Sequence, residues 1–294
     1  MTQASWHIGD LLKVTTTYLK EKDVESPRLT AEVLLARFLG VDRVTLYLEF
    51  EKPVTDKELS GYRELVRRRV RREPLQYITG VQEFWSMEFQ VDARVLIPRP
   101  ETEILVEQAL ACAKENKTDE EYSHRLLDLG TGSGILAVCL ARELPGWEVW
   151  ATDISSDALE LAELNAVTHG VDNRIRFLQG DCFGAFKKER VLFDIIVSNP
   201  PYVAEEEYGE LPSEVKDHEP HIALAGGRGG WVFIEQILRE APDFLSPGGR
   251  LLVEMAPGQT ERAMEIARET RCYGEIRRMR DYSGQHRVVS VTRA

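Results

Sequence analysis

Four short stretches of the 294-residue chain carry residue types whose order suits them to chemistry. The first is Asp128-Leu129-Gly130-Thr131-Gly132-Ser133-Gly134, set between an apolar run and a helical pattern containing Ile135, Leu136 and Leu140. Glycines let such a turn pass close to a ligand and leave backbone N–H groups at a helix N-terminus to bind it, which is nucleotide chemistry. The spacing departs from the dinucleotide fingerprint G-x-G-x-x-G, because the third glycine comes one residue early and Ile135 stands where the fingerprint wants glycine. Asp153 comes 23 residues after Gly130, where a carboxylate can accept hydrogen bonds from both hydroxyls of a ribose. Asp181, in Gln179-Gly180-Asp181-Cys182-Phe183, is placed to meet the amino edge of adenine. Asn199-Pro200-Pro201-Tyr202 offers two acceptors, the Asn199 side-chain oxygen and the Pro200 carbonyl, which suit a planar group bearing two N–H hydrogens. Tyr202 would add a flat apolar wall, and the paired prolines a backbone that needs little ordering. Each stretch also has an ordinary reading: Asp153 as a helix cap before Ser155 and Ala158, Asp181 as a turn aspartate, Pro200-Pro201 as a strand breaker.

What brings such distant residues together is the alternation of strand and helix patterns in the last two thirds of the chain. Strands are expected at Leu126 to Leu129, Val149 to Thr152, Ile175 to Leu178, Phe193 to Val197, Leu251 to Glu254 and Val288 to Val291, with helical patterns between most of them. Such alternation implies an α/β fold, a mostly parallel sheet with helices on both faces. The carboxyl ends of parallel strands share one edge, so the four stretches converge there. Val203 to Gly230 is a connection long enough to be functional. The first 75 residues read as helices alone. Ile8, Leu11, Leu12, Thr15 and Leu19 recur at helical spacing, Ser26-Pro27 reads as a cap with proline at the first helical position, and Gly40 as a stop. Thr55-x-x-Glu58 opens a further helix as a capping box. Between the two regions, Gln76 to Gly80, Phe84-Trp85 and Glu88 to Val91 read as extended pieces of a hairpin. The expected organisation is therefore a helical domain over 1–75, a β-hairpin linker over 76–97 and a nucleotide-binding domain over 98–294.

Hydrophobic residues at 43% and charged residues at 29% exclude disordered, collagen-like and disulfide-scaffold classes. No apolar run nears the ~20 residues of a membrane helix, and Met1 to His7 lack signal-peptide design, so a cytoplasmic protein is expected. The four cysteines form no CxxC pair, and His218 and His221 find no completing cluster, so no metal is expected. His286 and Asp281 are likewise assigned to structure. The net charge of −12 is uneven: residues 1 to 75 hold 14 Lys/Arg against 12 Asp/Glu, and the remainder 23 against 37. An acidic body of net −14 repels phosphate backbones, which disfavours polynucleotide partners. The dense basic run is Arg63, Arg67, Arg68, Arg69, Arg71 and Arg72, either a solvated helix face or a docking patch for an acidic partner or RNA.

Asp128-x-Gly-x-Gly-x-Gly resembles the first motif of class I S-adenosylmethionine-dependent methyltransferases, and Asn199-Pro-Pro-Tyr202 resembles the signature of those that methylate amide or exocyclic amino nitrogens. Arg72-Glu73-Pro74-Leu75-Gln76-Tyr77-Ile78-Thr79-Gly80, Leu96-Ile97-Pro98-Arg99-Pro100-Glu101-Thr102-Glu103, and Glu219-Pro220 with Ala223-Leu224 are similar to the peptide chain release factor glutamine methyltransferase family. With the helical N-terminal region, these pieces cover nearly the whole chain. Two positions depart from the family pattern. Cys182 stands where relatives often carry a larger or aromatic residue against the adenine, with Phe183 as the alternative stacking partner, and Gly229 stands where an acid is common.

The resemblance implies a Rossmann-like catalytic domain that takes S-adenosylmethionine and releases S-adenosylhomocysteine. It implies cofactor contacts from Gly130, Thr131, Gly132, Ser133, Gly134, Asp153, Asp181, Cys182 and Asn199, catalysis by Asn199, Pro200 and Tyr202, and substrate contacts from these and Pro201. The implied substrate is the glutamine of the Gly-Gly-Gln motif of class 1 release factors, recognised by a monomeric enzyme through its helical domain. Two alternatives stand beside it: methylation of an exocyclic amine of adenine or guanine in DNA or RNA, which would want a basic cleft, and a nucleotide-binding module without catalysis.

Overall fold

The computed structural model describes residues 6–115, 123–186 and 191–294, so the reading of Met1 to Ser5 lies outside the described residues. The chain divides into two compact units. One runs to Val81 and includes Pro212–His218; the other comprises Gln82–Leu211 and Glu219–Ala294.

The first unit is built from α1 (Ile8–Glu21), α2 (Pro27–Leu39), α3 (Arg43–Leu48), α4 (Asp56–Val70) and α5 (Leu75–Thr79), with the short strands β1 (Trp6–His7) and β2 (Pro53–Val54) paired antiparallel. Ile8, Leu11, Leu12 and Leu19 meet Leu34, Leu35, Tyr62 and Val66 in one core. The capping box forms: Glu58 N–H donates to Thr55 Oγ1 (3.3 Å) and Thr55 N–H to Glu58 Oε2 (2.8 Å). Ser26 makes no side-chain cap; it sits at φ 46° and leaves Pro27 to start the helix. The segment expected to be extended from Gln76 to Gly80 is instead helical. Pro74 delivers its chain at ψ 140°, one short turn buries Tyr77, Ile78 and Thr79, and Gly80 ends it at φ 77°.

Half of the basic run is consumed inside this unit. Arg68 grips Glu73 with two bonds (2.8 and 2.5 Å), the buried Arg69 pairs with Glu214 of the inserted Pro212–His218 segment (2.7 Å), and Arg72 donates to the carbonyls of Asp23 and Lys22. Arg67 makes only an exposed pair with Glu64.

The second unit begins at Gln82, one residue into the hairpin β3 (Val81–Phe84) and β4 (Met87–Gln90), turned by Trp85 and Ser86 at φ 52° and 55°. After α6 (Glu103–Glu115) come β5 (Arg125–Leu129), α7 (Ile135–Glu143), β6 (Glu148–Asp153), α8 (Ser156–Thr168) and β7 (Ile175–Gln179). The sheet is completed by β8 (Phe193–Ser198), β9 (Leu245–Glu254), β10 (Tyr273–Arg280) and β11 (His286–Arg293) in the order β10-β11-β9-β8-β5-β6-β7. β9, β8, β5, β6 and β7 run parallel, and β11 is antiparallel to both its neighbours. Separate apolar clusters contain Phe84, Phe89 and Leu140 in one case and Trp150, Phe186 and Ile237 in the other. β10 is the strand that hydropathy does not reveal: its sequence YGEIRRMR lies at the sheet edge with mostly exposed or half-buried side chains.

The register decides where chemistry can occur. Leu129 pairs with Thr152 and Ser198, Asp153 with Gln179, and Ser198 with Val253. The residues just past these pairs, Gly130, Gly180 and Asn199, therefore leave the sheet along one edge. From β5 the chain crosses to β6 and β7 on one side and to β8 and β9 on the other, so the edge carries a crevice where the winding reverses.

Candidate active site

At this edge a cavity is lined by Gly130, Thr131, Gly132 and Ser133 of the glycine turn, but not its Gly134, and by Asp153, Asp181, Cys182, Asn199, Pro200 and Pro201, together with residues of the Arg94 to Thr102 segment. Asp128 holds the turn from beneath. It is fully buried, and one oxygen accepts from Thr131 Oγ1 (2.6 Å) and Ala137 N–H (3.1 Å), fastening the turn to the first residues of α7. Burial pushes its carboxyl up to about 7. Gly130, Gly132 and Gly134 all have positive φ (77°, 55° and 83°). At Gly134 packing adds a second demand, because a Cβ there would lie 2.9 Å from Ala162 Cβ; at Gly130 and Gly132 it would meet nothing within 4 Å. The cavity side of the turn is thus open. Its N–H groups are partly spent within the fold, since Gly130 and Thr131 donate to the Thr152 carbonyl and Gly134 to that of Thr131.

Asp153 is both an anchor and an available acceptor. Its Oδ2 accepts from Gly132 N–H (2.9 Å) and its Oδ1 from Ser155 N–H (2.9 Å), while Ser155 Oγ caps α8 by accepting from Ala158 N–H (3.2 Å). A carboxylate oxygen can take two hydrogen bonds, so each retains capacity toward the cavity. Burial raises its pKa against these bonds. Asp181 and Cys182 also line the cavity. Burial, with the Asp181 charge beside it, pushes the Cys182 thiol up to about 12, so Cys182 contributes neutral surface. Phe183 does not take the stacking place: it is buried and stacked on Phe244 with ring centroids 4.5 Å apart. The apolar wall beside Asp153 is Ile154, which lines the cavity while 47% exposed.

At the end of β8, Asn199 Nδ2 donates to Thr102 Oγ1 (3.2 Å), and Asn199 Oδ1 is buried with no partner among the described residues. Thr102 in turn bonds the carboxyl of the buried Glu254, which burial pushes up to about 7. Pro200 and Pro201 line the cavity, whereas Tyr202 is packed against the Trp150 and Ile237 cluster and is not part of the lining. Tyr202's phenol is pushed up to about 12 by burial, then by the Glu254 charge, so it stays protonated. Its carbonyl accepts from Gln259 Nε2 (3.0 Å), which also donates to the Gly230 carbonyl (3.1 Å). A Cβ at Gly230 would come within 2.2 Å of the Tyr202 carbonyl oxygen, so a glycine is obligatory there. Gly229, at φ 63°, donates its N–H to Glu206 (3.1 Å).

Two motifs far apart in sequence prove to be one device. Glu219 accepts from Ile97 N–H (3.1 Å) and Arg99 Nη2 (2.5 Å), pinning the segment whose Leu96, Pro98 and Thr102 line the cavity. His221 of the same stretch lies against the Tyr208 ring, centroids 4.7 Å apart, and Asp281 closes the β10–β11 turn by accepting from Ser283, Gln285 and Arg287.

The chain matches the models of the PrmC N-terminal domain over residues 10–80 and of the methyltransferase small domain over residues 107–213. It is 40% identical to the release factor glutamine methyltransferase of Chlorobaculum tepidum, across 97% of both chains. The protein of the same name from Geobacter sulfurreducens is 44% identical, across 90% of this chain and 89% of its own. This chain belongs to the release factor glutamine methyltransferase family. The solved structure of the human methyltransferase 10 domain containing protein shares its fold, with a TM-score of 0.54 at 16% identity, covering 71% of this chain and 89% of that one.

Membership of this family makes S-adenosylmethionine the cofactor, and the residues present fit it. The open face at Gly130 and Gly132 is a cradle that side chains would fill, and Asp153 keeps acceptor capacity for the two ribose hydroxyls. Among positions that sequence reasoning passed over, Glu254 and Gln259 carry no motif, being a strand-end acid and a lone glutamine before a helix. Ile154 could have been noticed as a bulky apolar residue directly after a strand-ending acid.

Proposed function

We propose that this enzyme transfers the methyl group of S-adenosylmethionine to the side-chain amide nitrogen of the glutamine in the Gly-Gly-Gln motif of class 1 peptide chain release factors. The observation that carries the reading is Asn199: its NH₂ is committed to Thr102, so its unpartnered buried oxygen is an acceptor waiting for an N–H. An amide nitrogen is a weak nucleophile because its lone pair is delocalised into the carbonyl. Asn199 Oδ1 and the Pro200 carbonyl orient the substrate NH₂ and stabilise the positive charge that grows on it as its bond to carbon forms. S-adenosylmethionine, when bound, would supply a methyl whose bond to the sulfonium sulfur breaks as the bond to nitrogen forms, leaving neutral S-adenosylhomocysteine, and the methylated amide becomes neutral by releasing one N–H proton to solvent. The protein's share is alignment of the two reactants, with Gly130 to Ser133, Asp153, Asp181 and Cys182 holding the donor and Asn199 to Pro201 the acceptor. Tyr202 acts from behind the Pro200-Pro201 backbone, since its ring is not in the cavity lining.

The helical unit serves to recognise the release factor, and Arg63 and Arg71, with Arg67 in its exposed pair with Glu64, are the cations of the basic run that an acidic partner could engage. The enzyme works as a cytoplasmic monomer without stable nucleic-acid binding; the net of −14 over residues 76 to 294 supports the last point. No helix among the described residues is long and apolar enough to cross a membrane. Incubation with labelled methyl donor and either purified release factor or nucleic acid, followed by mass mapping, tests the reading. Label is expected on the Gly-Gly-Gln glutamine, and label on an adenine or guanine amine would overturn it.

A further inference from the structure

We infer that Glu254 and Thr102 are positioning residues, a buried hydrogen-bond relay that fixes which end of the Asn199 amide faces the substrate. The inference rests on the proposed role of Asn199 and extends it to two residues on other elements. Thr102 ends the short turn before α6 and Glu254 ends β9, and each is only 1% exposed.

A hydroxyl owns one proton and two lone pairs. The Thr102 hydroxyl donates to the Glu254 carboxyl, an interaction that favours the ionised acid. Having given its proton, Thr102 Oγ1 can only accept from Asn199, 3.2 Å away, and that demands the NH₂. The Asn199 oxygen is then forced to the opposite side, where it is buried and free. Reverse the first link and the logic reverses. If position 254 donates to Thr102, the hydroxyl proton is released to the Asn199 oxygen, the amide turns over, and its NH₂ confronts the NH₂ of the substrate. A carboxyl-to-hydroxyl-to-amide chain thus converts a remote acceptor oxygen into a choice of acceptor over donor at the reacting nitrogen; the other Glu254 oxygen, Oε2, is buried without a partner among the described residues, so a proton carried there leaves the acceptor toward Thr102 in place. The relay's own surroundings are charged. Arg287 favours the ionised form of Glu254, while Glu101 and Asp281 oppose it, and burial is the largest influence, pushing Glu254 up to about 7. The Tyr202 phenol, also near this charge, remains neutral.

The test uses the full-length enzyme, a Gly-Gly-Gln peptide and two readouts. In turnover, T102V is expected to lose ~10- to 100-fold in kcat, the scale for removing or misplacing one preorganised contact. T102S, which keeps the hydroxyl, should recover to within ~3-fold of the parent by the same reasoning, and E254Q, whose amide can donate, should fall ~10-fold. Unchanged kcat in T102V, or an equal fall in T102S, would overturn the relay. The second readout needs no substrate: with selective ¹⁵N-asparagine labelling, the Asn199 side-chain NH₂ signals should move between the parent and both T102V and E254Q, and stay near the parent position in T102S. NH₂ signals indifferent to all three changes would overturn the relay even if the parent proved inactive on the peptide. A parent inactive on both the peptide and whole release factor, with the expected shifts, would instead overturn the substrate assignment and leave the relay standing.

Discussion

Asp153→Asn is the sharper perturbation of the donor site, because the two oxygens of Asp153 have different duties that an amide cannot reproduce. Oδ2 holds Gly132 N–H and Oδ1 holds Ser155 N–H, each at 2.9 Å. An amide has one acceptor end, so whichever way it turns, its NH₂ faces one of these backbone donors. An orphaned buried donor costs about 1 to 3 kcal/mol, and the lost charge-assisted bond to a ribose hydroxyl about 1.5 to 3 kcal/mol. One such bond corresponds to roughly a 10- to 150-fold loss of affinity. Neighbouring losses are not additive, so a product of the two is not expected. Asp153→Ala leaves room for water at the vacated site and is expected to lose donor affinity on the same scale. Asp153→Asn, nearly identical in volume, should therefore bind the donor no better than the alanine variant. Calorimetric titration with S-adenosylhomocysteine measures the affinities, and thermal unfolding of the donor-free proteins separates the backbone anchor from the ribose contact. Near-parental affinity in Asp153→Asn would refute the reasoning, since it would mean that neither the Gly132 N–H nor the ribose requires a carboxylate there.

Asn199→Ala should reduce kcat by ~10²-fold or more, with donor affinity, measured by the same titration, changed far less. Gly134→Ala must place a Cβ 2.9 Å from Ala162 Cβ at φ 83° and is expected to cost ~1 to 3 kcal/mol in urea unfolding. Gly146→Ala, where a Cβ meets nothing within 4 Å and φ is not positive, should stay within ~0.5 kcal/mol of the parent. The folded protein holds the protons of Glu254 and Asp128 up to about pH 7, whereas the unfolded chain releases them near 4.5 and 3.8. Folding therefore takes up protons in that window, so the stability of the donor-free protein should decline as pH rises through it. Glu254 alone contributes ~3 kcal/mol, and Glu254→Gln should flatten the slope in denaturant titrations at several pH values. Replacing Arg63, Arg67 and Arg71 with Ser should weaken capture of whole release factor in a salt-dependent way while sparing a short Gly-Gly-Gln peptide; equal rates for parent and variant on whole factor would make these arginines a solvated face.

The core of the sheet was legible because its strands are buried on both faces and read as apolar runs between glycine and proline punctuation. Leu126 to Leu129 and Phe193 to Val197 need nothing else. β10 was not legible, because an edge strand with mostly exposed side chains and four charged residues shows no apolar alternation to detect. Gln76 to Gly80 misled for the opposite reason: Gln-Tyr-Ile-Thr has strand propensity, yet a single turn entered from Pro74 and closed by Gly80 buries Tyr77 and Ile78 better. The same distinction holds at the site. Residues that must leave a strand end with a particular backbone, such as Gly130 and Pro200, announce themselves in sequence. Thr102, Glu219, Glu254 and Gln259 act through partners that are neighbours only after folding; Thr102 and Glu219 stand in stretches that carry the family resemblance, which does not give their partners, and Glu254 and Gln259 stand in no motif at all. The arginines show the converse, since a run that looks like one patch is divided by the fold into Arg68, Arg69 and Arg72, held by internal partners, and the rest.

On the proposed reading the reacting group meets two acceptors, the Asn199 oxygen and the Pro200 carbonyl, and an exocyclic amine of a base would suit two acceptors as well as a glutamine amide does. The catalytic edge therefore cannot by itself select between them, and selection must be made by binding energy realised away from it. A base in a nucleic acid brings phosphates, which an acidic body of net −14 repels, whereas a glutamine brings a polypeptide whose neighbouring residues can be read by a folded unit. The helical unit has the means: Arg69 and Glu214 lock the Pro212–His218 segment to α4, so the long connection after Tyr202 is joined to the same body as the arginines. That connection starts at the residues proposed to hold the amide and passes through the unit proposed to hold the rest of the substrate. Breaking the Arg69 and Glu214 pair by Glu214→Gln should accordingly lower kcat/KM for whole release factor more than for the short peptide, and equal losses on the two substrates would show that the segment serves only the fold.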